Sequence, residues 1–190
     1  MKRTACAFIF LIVFVFPGSS FADSVFPLGY SHIIIGGGNV YFTNSDVDDL
    51  ELDDANFFGG SMYVSLAPKV YLGGEYHRAE KESRFLGGKA ELEFNPIEIN
   101  LKYSQLVNDY LVLNLGGGIS RTFIEEKITT VGSVTKDGWF HGVQLFAGVD
   151  VLFDNTFVGF YFKWQTMDDF TCTSYDYSNF RLGAHVGFTF

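Results

Sequence analysis

The chain has 190 residues and a formal net charge of −9; 47% of its residues are apolar and 18% charged, with 22 Phe, 10 Tyr, 21 Gly and 4 Pro. This excludes a disordered chain, which needs low hydrophobicity and high charge, and a coiled coil, which needs far more Glu, Lys and Ala. The acidic balance argues against a nucleic-acid partner, because phosphate neutralisation needs clustered Lys and Arg.

Residues 1–22 read as a cleaved secretory signal. Lys2 and Arg3 give a positive start, residues 5–16 are apolar, and Ser20-Phe21-Ala22 is a small-x-small cleavage site before Asp23. The apolar stretch spans about 18 Å as a helix, short of the ~30 Å needed for an anchor. Residues 23–190 are then one domain with a net charge of −11, since the signal carries two bases and no acid. Cys6 leaves with the signal, so Cys172 remains alone. It has no intramolecular disulfide partner and no Cys or His at zinc-ligand spacing.

From there on the chain alternates with period two, the mark of a strand with two different faces. A first strand spans residues 30–42, its phase blurred by Gly36-Gly37-Gly38. Met62, Val64 and Leu66 oppose Ser61, Tyr63, Ser65 and Ala67; Val70, Leu72 and Tyr76 oppose Tyr71, Gly73, Glu75 and His77. In the fourth strand Ala90, Leu92 and Phe94 are apolar on even numbers, whereas Ile97, Ile99, Leu101 and Tyr103 are apolar on odd ones. The change of phase at Asn95-Pro96 predicts a bulge or bend there. Leu111, Leu113, Leu115 and Ile119 oppose Val112, Asn114, Gly116, Gly118 and Ser120, and Val143, Leu145, Ala147, Val149 and Val151 oppose Gly142, Gln144, Phe146, Gly148 and Asp150. Val158, Phe160, Phe162 and Trp164 oppose Phe157, Gly159, Tyr161, Lys163 and Gln165. Last, Phe180, Leu182, Ala184, Val186, Phe188 and Phe190 oppose Arg181, Gly183, His185, Gly187 and Thr189. The count is eight strands. Tight turns fall at 67–69, 107–109 and 153–155, and long polar loops are expected at 43–56, 80–88, 124–137 and 168–178.

A soluble barrel with an apolar lumen alternates in the same way; the glycines decide between the two. Gly73, Gly116, Gly118, Gly142, Gly148, Gly159, Gly183 and Gly187 all lie on the polar face. A narrow eight-stranded lumen needs small residues, whereas on a solvent face they would only weaken the strands. The other face is nearly continuous Leu, Val, Ile and Phe, which suits lipid. Trp139, Trp164, Tyr76, Tyr103 and Phe180 stand near strand ends, where aromatic girdles form. The fold class expected is all-β, an eight-stranded antiparallel transmembrane β-barrel with short periplasmic turns and four longer extracellular loops.

The signal, the eight strands, the alternation of short turns and long loops, and the ending Val186-x-Phe188-x-Phe190 resemble the small outer-membrane barrels: the OmpA transmembrane domain, OmpX and opacity-protein superfamily. The resemblance covers essentially the whole mature chain and is architectural. It implies a place in the bacterial outer membrane, contact with its lipid including lipopolysaccharide, and an assembly signal at Val186, Phe188 and Phe190 read by the barrel-assembly machinery.

Candidate chemistry lies in four places. The inward list holds Glu75, Glu98 and Asp150 against Lys102, Lys163 and Arg181, with His77 and His185 titratable. Such a balanced set is expected to pair internally, because unpaired buried charges are costly; the alternative is an ion path. Asp46, Asp48, Asp49, Glu51, Asp53 and Asp54 fill one loop, which lacks the spacing of an EF-hand. Arg78, Lys81, Arg84, Arg121, Lys127 and Lys136 stand near loop bases, where they can meet lipid phosphates or simply water. A lipid A deacylase would need His and Ser together with an orienting acid. His141, Ser133 and Glu125 are the nearest approach, and the His-x-Ser pattern is absent. The reading is therefore a non-enzymatic surface barrel without cofactor or specific metal, whose loops meet a host or surface ligand. A narrow porin-like channel ranks second and a lipid A-modifying enzyme third.

Overall fold

The computed structural model describes residues 27–43, 53–85, 88–130, 132–168 and 177–190. The expected signal, Cys172 and acidic residues 46–51 lie outside them. Eight strands follow one another: β1 (Ser31–Phe42), β2 (Asp54–Ala67), β3 (Val70–Phe85), β4 (Gly88–Asn108), β5 (Leu111–Thr129), β6 (Ser133–Phe153), β7 (Thr156–Asp168) and β8 (Asn179–Thr189). Each pairs antiparallel with the next, and β8 returns to β1, so the sheet closes on itself. Closure leaves no open edge, the condition for β-structure in hydrocarbon. The seam runs to the last residue: Ser31 and Phe190 exchange backbone hydrogen bonds of 3.0 and 2.9 Å.

The three tight turns stand where the alternation broke, between β2 and β3, β4 and β5, and β6 and β7. At two of them non-glycine residues take the left-handed conformation, Lys69 at φ 65° and Asp154 at φ 53°. The expected bulge at Asn95-Pro96 is absent. Pro96 stands opposite Thr122 in unbroken register with β5, and even-numbered side chains of β4 point inward from Ala90 to Ser104. On the β3 side the ladder omits His77 and Arg78 and resumes in the same register, which accommodates a residue without an N–H. The register shifts of the sheet lie elsewhere, between Ser65 and Ala67 and between Leu106 and Asn108, beside the tight turns.

Two of the four expected long loops are strand. Residues 80–85 and 88–93 pair with each other, and residues 124–129 pair with 133–138, so β3–β6 project well past the rest of the barrel. Along this projection the polarity of the two faces reverses. Inside, Ala79, Ala90, Leu92, Phe94, Ile124 and Phe140 of these strands form a buried apolar cluster with Val40 and Phe42 of β1 and Phe57 of β2. Outside stand Arg78, Glu80, Glu82, Arg84, Lys89, Glu91, Glu93, Glu125 and Lys127, several of them ion-paired. The alternation never slips; the medium outside the wall changes from lipid to water.

Inside the membrane-level barrel, bulky aromatic residues stand directly opposite glycines on the neighbouring strand: Tyr63 opposite Gly73, Phe146 opposite Gly116, Tyr161 opposite Gly183 and Phe157 opposite Gly187. A Cβ on Gly183 would lie 2.7 Å from the Tyr161 ring. The ring lies flat across the wall because nothing projects beneath it.

Candidate functional site

All eight side chains expected in the lumen, Glu75, His77, Glu98, Lys102, Asp150, Lys163, Arg181 and His185, point inward. The alternation of β3, β4, β6, β7 and β8 brings them together from across the barrel. At the centre Glu98 is the hub. Its Oε2 accepts from Lys163 Nζ at 2.5 Å and from Gln144 Nε2 at 2.8 Å, and its Oε1 accepts from Arg181 Nη2 at 2.5 Å. Lys163 also donates to Glu75 at 2.5 Å, and Tyr63 O–H donates to the other Glu75 oxygen. Arg181 donates further to Gln165 at 2.9 Å and to His77 Nδ1 at 3.4 Å. Two cations on two carboxylates, backed by amides, is the arrangement that makes buried charge tolerable.

Toward the periplasmic end Asp150 accepts from His185 Nε2 and Asn114 Nδ2, both at 2.8 Å. Lys102 departs from the expected acid–base pairing. Its Nζ donates to His32 Nε2 at 2.6 Å and sits 4.1 Å from the centre of the Tyr63 ring. A lysine ammonium has no acceptor, so His32 presents its lone pair to it. His32 was not among the expected lumen residues: Ile33, Ile34 and Ile35, followed by three glycines, hide the phase of β1.

The ligand atoms of Glu75, His77 and Glu98 lie within 4.8 Å of one another, spacing that a metal ion can use. Lys163 and Arg181 already donate to these carboxylates, so an ion there would have to displace both cations. Between the groups is a cavity of about 50 Å³, room for a few water molecules and too little for a solute. The apolar cluster of the projection lies above it. Below, Leu28, Tyr63, Tyr71, Val112 and Phe157 form a second buried cluster. Tyr71 ties the N-terminal segment across that end, accepting from Leu28 N–H and donating to the Gly29 carbonyl, both at 3.1 Å.

The outer wall carries the complementary pattern. Ile97, Ile99, Leu101, Leu113, Leu145, Val158, Phe160 and Leu182 are exposed. They form a continuous belt that water would reject and lipid requires. Tyr76, Trp139 and Trp164 stand outward at the upper margin of this belt, and Tyr103, Tyr110 and Phe153 near the lower. Val186, Phe188 and Phe190 are also exposed and face outward along β8. The chain has the fold of the small outer-membrane barrels.

Solved structures bear out that likeness. The barrel is similar to the N-terminal domain of Pseudomonas aeruginosa OprF, with 19% identity, TM-score 0.56, and 85% of this chain and 98% of that one covered. It is similar to Neisserial surface protein A, at 12% identity and TM-score 0.62 over 85% and 98% of the two chains. It also resembles Ail, the attachment invasion locus protein of Yersinia pestis, at 12% identity and TM-score 0.56 over 84% and 97%. No family model and no curated sequence matches the barrel. The likeness thus lies in the fold, and the apolar belt is the surface by which such a barrel sits in its membrane.

Proposed function

We propose that this is a non-enzymatic, non-conducting barrel of the bacterial outer membrane that holds an extracellular projection rigidly for surface interaction or membrane integrity. The observation that carries this reading is the closed interior. Glu98, Lys163, Arg181 and Glu75 bind one another across the lumen, with an apolar stopper above and an aromatic layer below. In this reading Val186, Phe188 and Phe190 engage the barrel-assembly machinery during insertion, and outer-membrane lipid including lipopolysaccharide surrounds the belt.

The projection is where recognition belongs, since a stiff scaffold carrying exposed chemistry is how loop-bearing folds bind. Its outward face presents Glu80, Glu82, Glu91, Glu93, Glu125 and Asp137 against Arg78, Arg84, Lys89 and Lys127. That excess of acid favours a neutral or cationic partner over a polyanion. The enzyme reading loses support from geometry. His141 and Ser133 share β6 eight positions apart, about 26 Å at the rise of a strand, so they do not form a nucleophile–base pair.

The test is solute flux through the refolded chain in liposomes, with barrel formation checked by the mobility of unboiled protein on a gel. No flux above protein-free vesicles is expected. Flux that falls when Glu75, Lys102 or Arg181 is replaced would overturn the reading in favour of a channel.

A further inference from the structure

We infer that Arg121 and Trp139 form a binding site on the outer wall for the phosphate of an outer-leaflet lipid. Arg121 is exposed and faces outward on β5, between Ile119 and Phe123 on its own strand. It stands opposite Ile97 on β4 and His141 on β6. Its guanidinium lies 4.6 Å from the Trp139 ring, which in turn packs against Phe123 at 5.3 Å.

The position of this charge is what matters. The other outward cations at this end, Arg78, Arg84, Lys89 and Lys127, lie farther out and each pairs with a carboxylate. Arg121 makes no ion pair among the described residues. Ile97, Ile119 and Val143, all more than half exposed, put it at the top of the lipid belt. The acid nearest along its own strand, Glu125, is four positions away, about 13 Å by strand rise. Asp168 stands in register beyond His141, on the side away from Arg121. A cation facing hydrocarbon carries a depth-dependent cost that an anion at the same level removes. At the level of an aromatic girdle, the available anion is a lipid phosphate.

The chemistry fits. A guanidinium presents a planar fork of donors matched to phosphate oxygens. The Trp139 ring holds the guanidinium against its face by a cation–π contact. The site rests on the barrel spanning the membrane and is independent of whether the lumen conducts, so the flux experiment leaves it intact.

The experiment titrates the refolded mature chain in detergent micelles with lipid A, the phosphorylated anchor of lipopolysaccharide, and counts bound lipid by native mass spectrometry. Dephosphorylated lipid A and inorganic phosphate serve as comparison probes. The wild-type barrel is expected to prefer the phosphorylated lipid by about tenfold, the strength of one charge-assisted contact. Arg121→Gln should abolish the preference, Arg121→Lys, which keeps the charge and loses the donor fork, should keep only a minor part of it, and inorganic phosphate should not compete. Equal binding of the two lipids by the wild type, or an unchanged preference in Arg121→Gln, would overturn the inference. Competition by inorganic phosphate would overturn the assignment to lipid. If Arg121→Gln fails to fold, Trp139→Leu takes its place: it should weaken the preference by removing the ring that holds the guanidinium, and an unchanged preference in it would overturn the inference.

Discussion

The two halves of this barrel share one wall and have opposite faces. At membrane level the inner face carries Glu98, Lys163 and Arg181 and the outer face Ile97, Ile99 and Leu115; in the projection the inner face carries Leu92 and Phe94 and the outer face Glu91 and Glu93. β4 passes through both halves without a change of phase. Which face of a strand is apolar is therefore set by the medium beyond it. In lipid the polar groups must find one another inside; in water the apolar ones must.

Removing the hub of the lower interior should give the largest effect. Glu98→Ala leaves Lys163 buried with one of its two carboxylates and Arg181 buried with none, and removing one partner of a buried pair costs about 3–5 kcal/mol. Urea unfolding of the barrel in lipid vesicles, followed by tryptophan fluorescence, would report it. The outer faces give the next contrast. Leu115→Arg should cost about 2–4 kcal/mol, the price of a cation on a lipid-facing position near the midplane. Glu93→Arg on the same wall, in the projection, should stay within about 0.5 kcal/mol. Similar costs at the two positions would mean that the projection also lies in lipid.

The smallest effect concerns the ion pairs at the top of β3–β5. Hydrogen bonds from Lys89, seconded at Glu82 by Arg84, hold the Glu82 and Glu91 carboxyls below their ordinary value of 4.5. A folded value below the unfolded one means that this contribution is present above pH 4.5 and is lost as pH falls through the depressed values. Exposure and salt keep it small. Carboxyl titration by NMR should show both midpoints rising toward 4.5 in Lys89→Gln. Unmoved midpoints would remove Lys89 as their cause.

The same contrast explains what the sequence discloses. Ile97-x-Ile99-x-Leu101 on β4 and the matching run on β8 are plain because lipid demands an unbroken apolar face. Residues 79–84, Ala-Glu-Lys-Glu-Ser-Arg, are also strand, yet their outer face is charged and their inner face is Ala79, Lys81 and Ser83, so they resemble a loop. Asn95-Pro96 marks the level at which solvent changes, which a reading based on polarity alone mistakes for a bulge. The central ion pairs follow from inward phase and charge balance. The Lys102–His32 contact does not, because β1 is apolar on both faces where His32 begins it.

The glycine–ring pairs have a consequence for assembly. A slip of one residue between strands exchanges their faces and is rejected by polarity, but a slip of two keeps every face correct and escapes that check. On β7–β8 such a slip would lay Tyr161 against Arg181 or His185 instead of Gly183, and on β2–β3 it would lay Tyr63 against Tyr71 or Glu75 instead of Gly73. Shape inside the wall thus proofreads the alignment that hydrophobicity cannot.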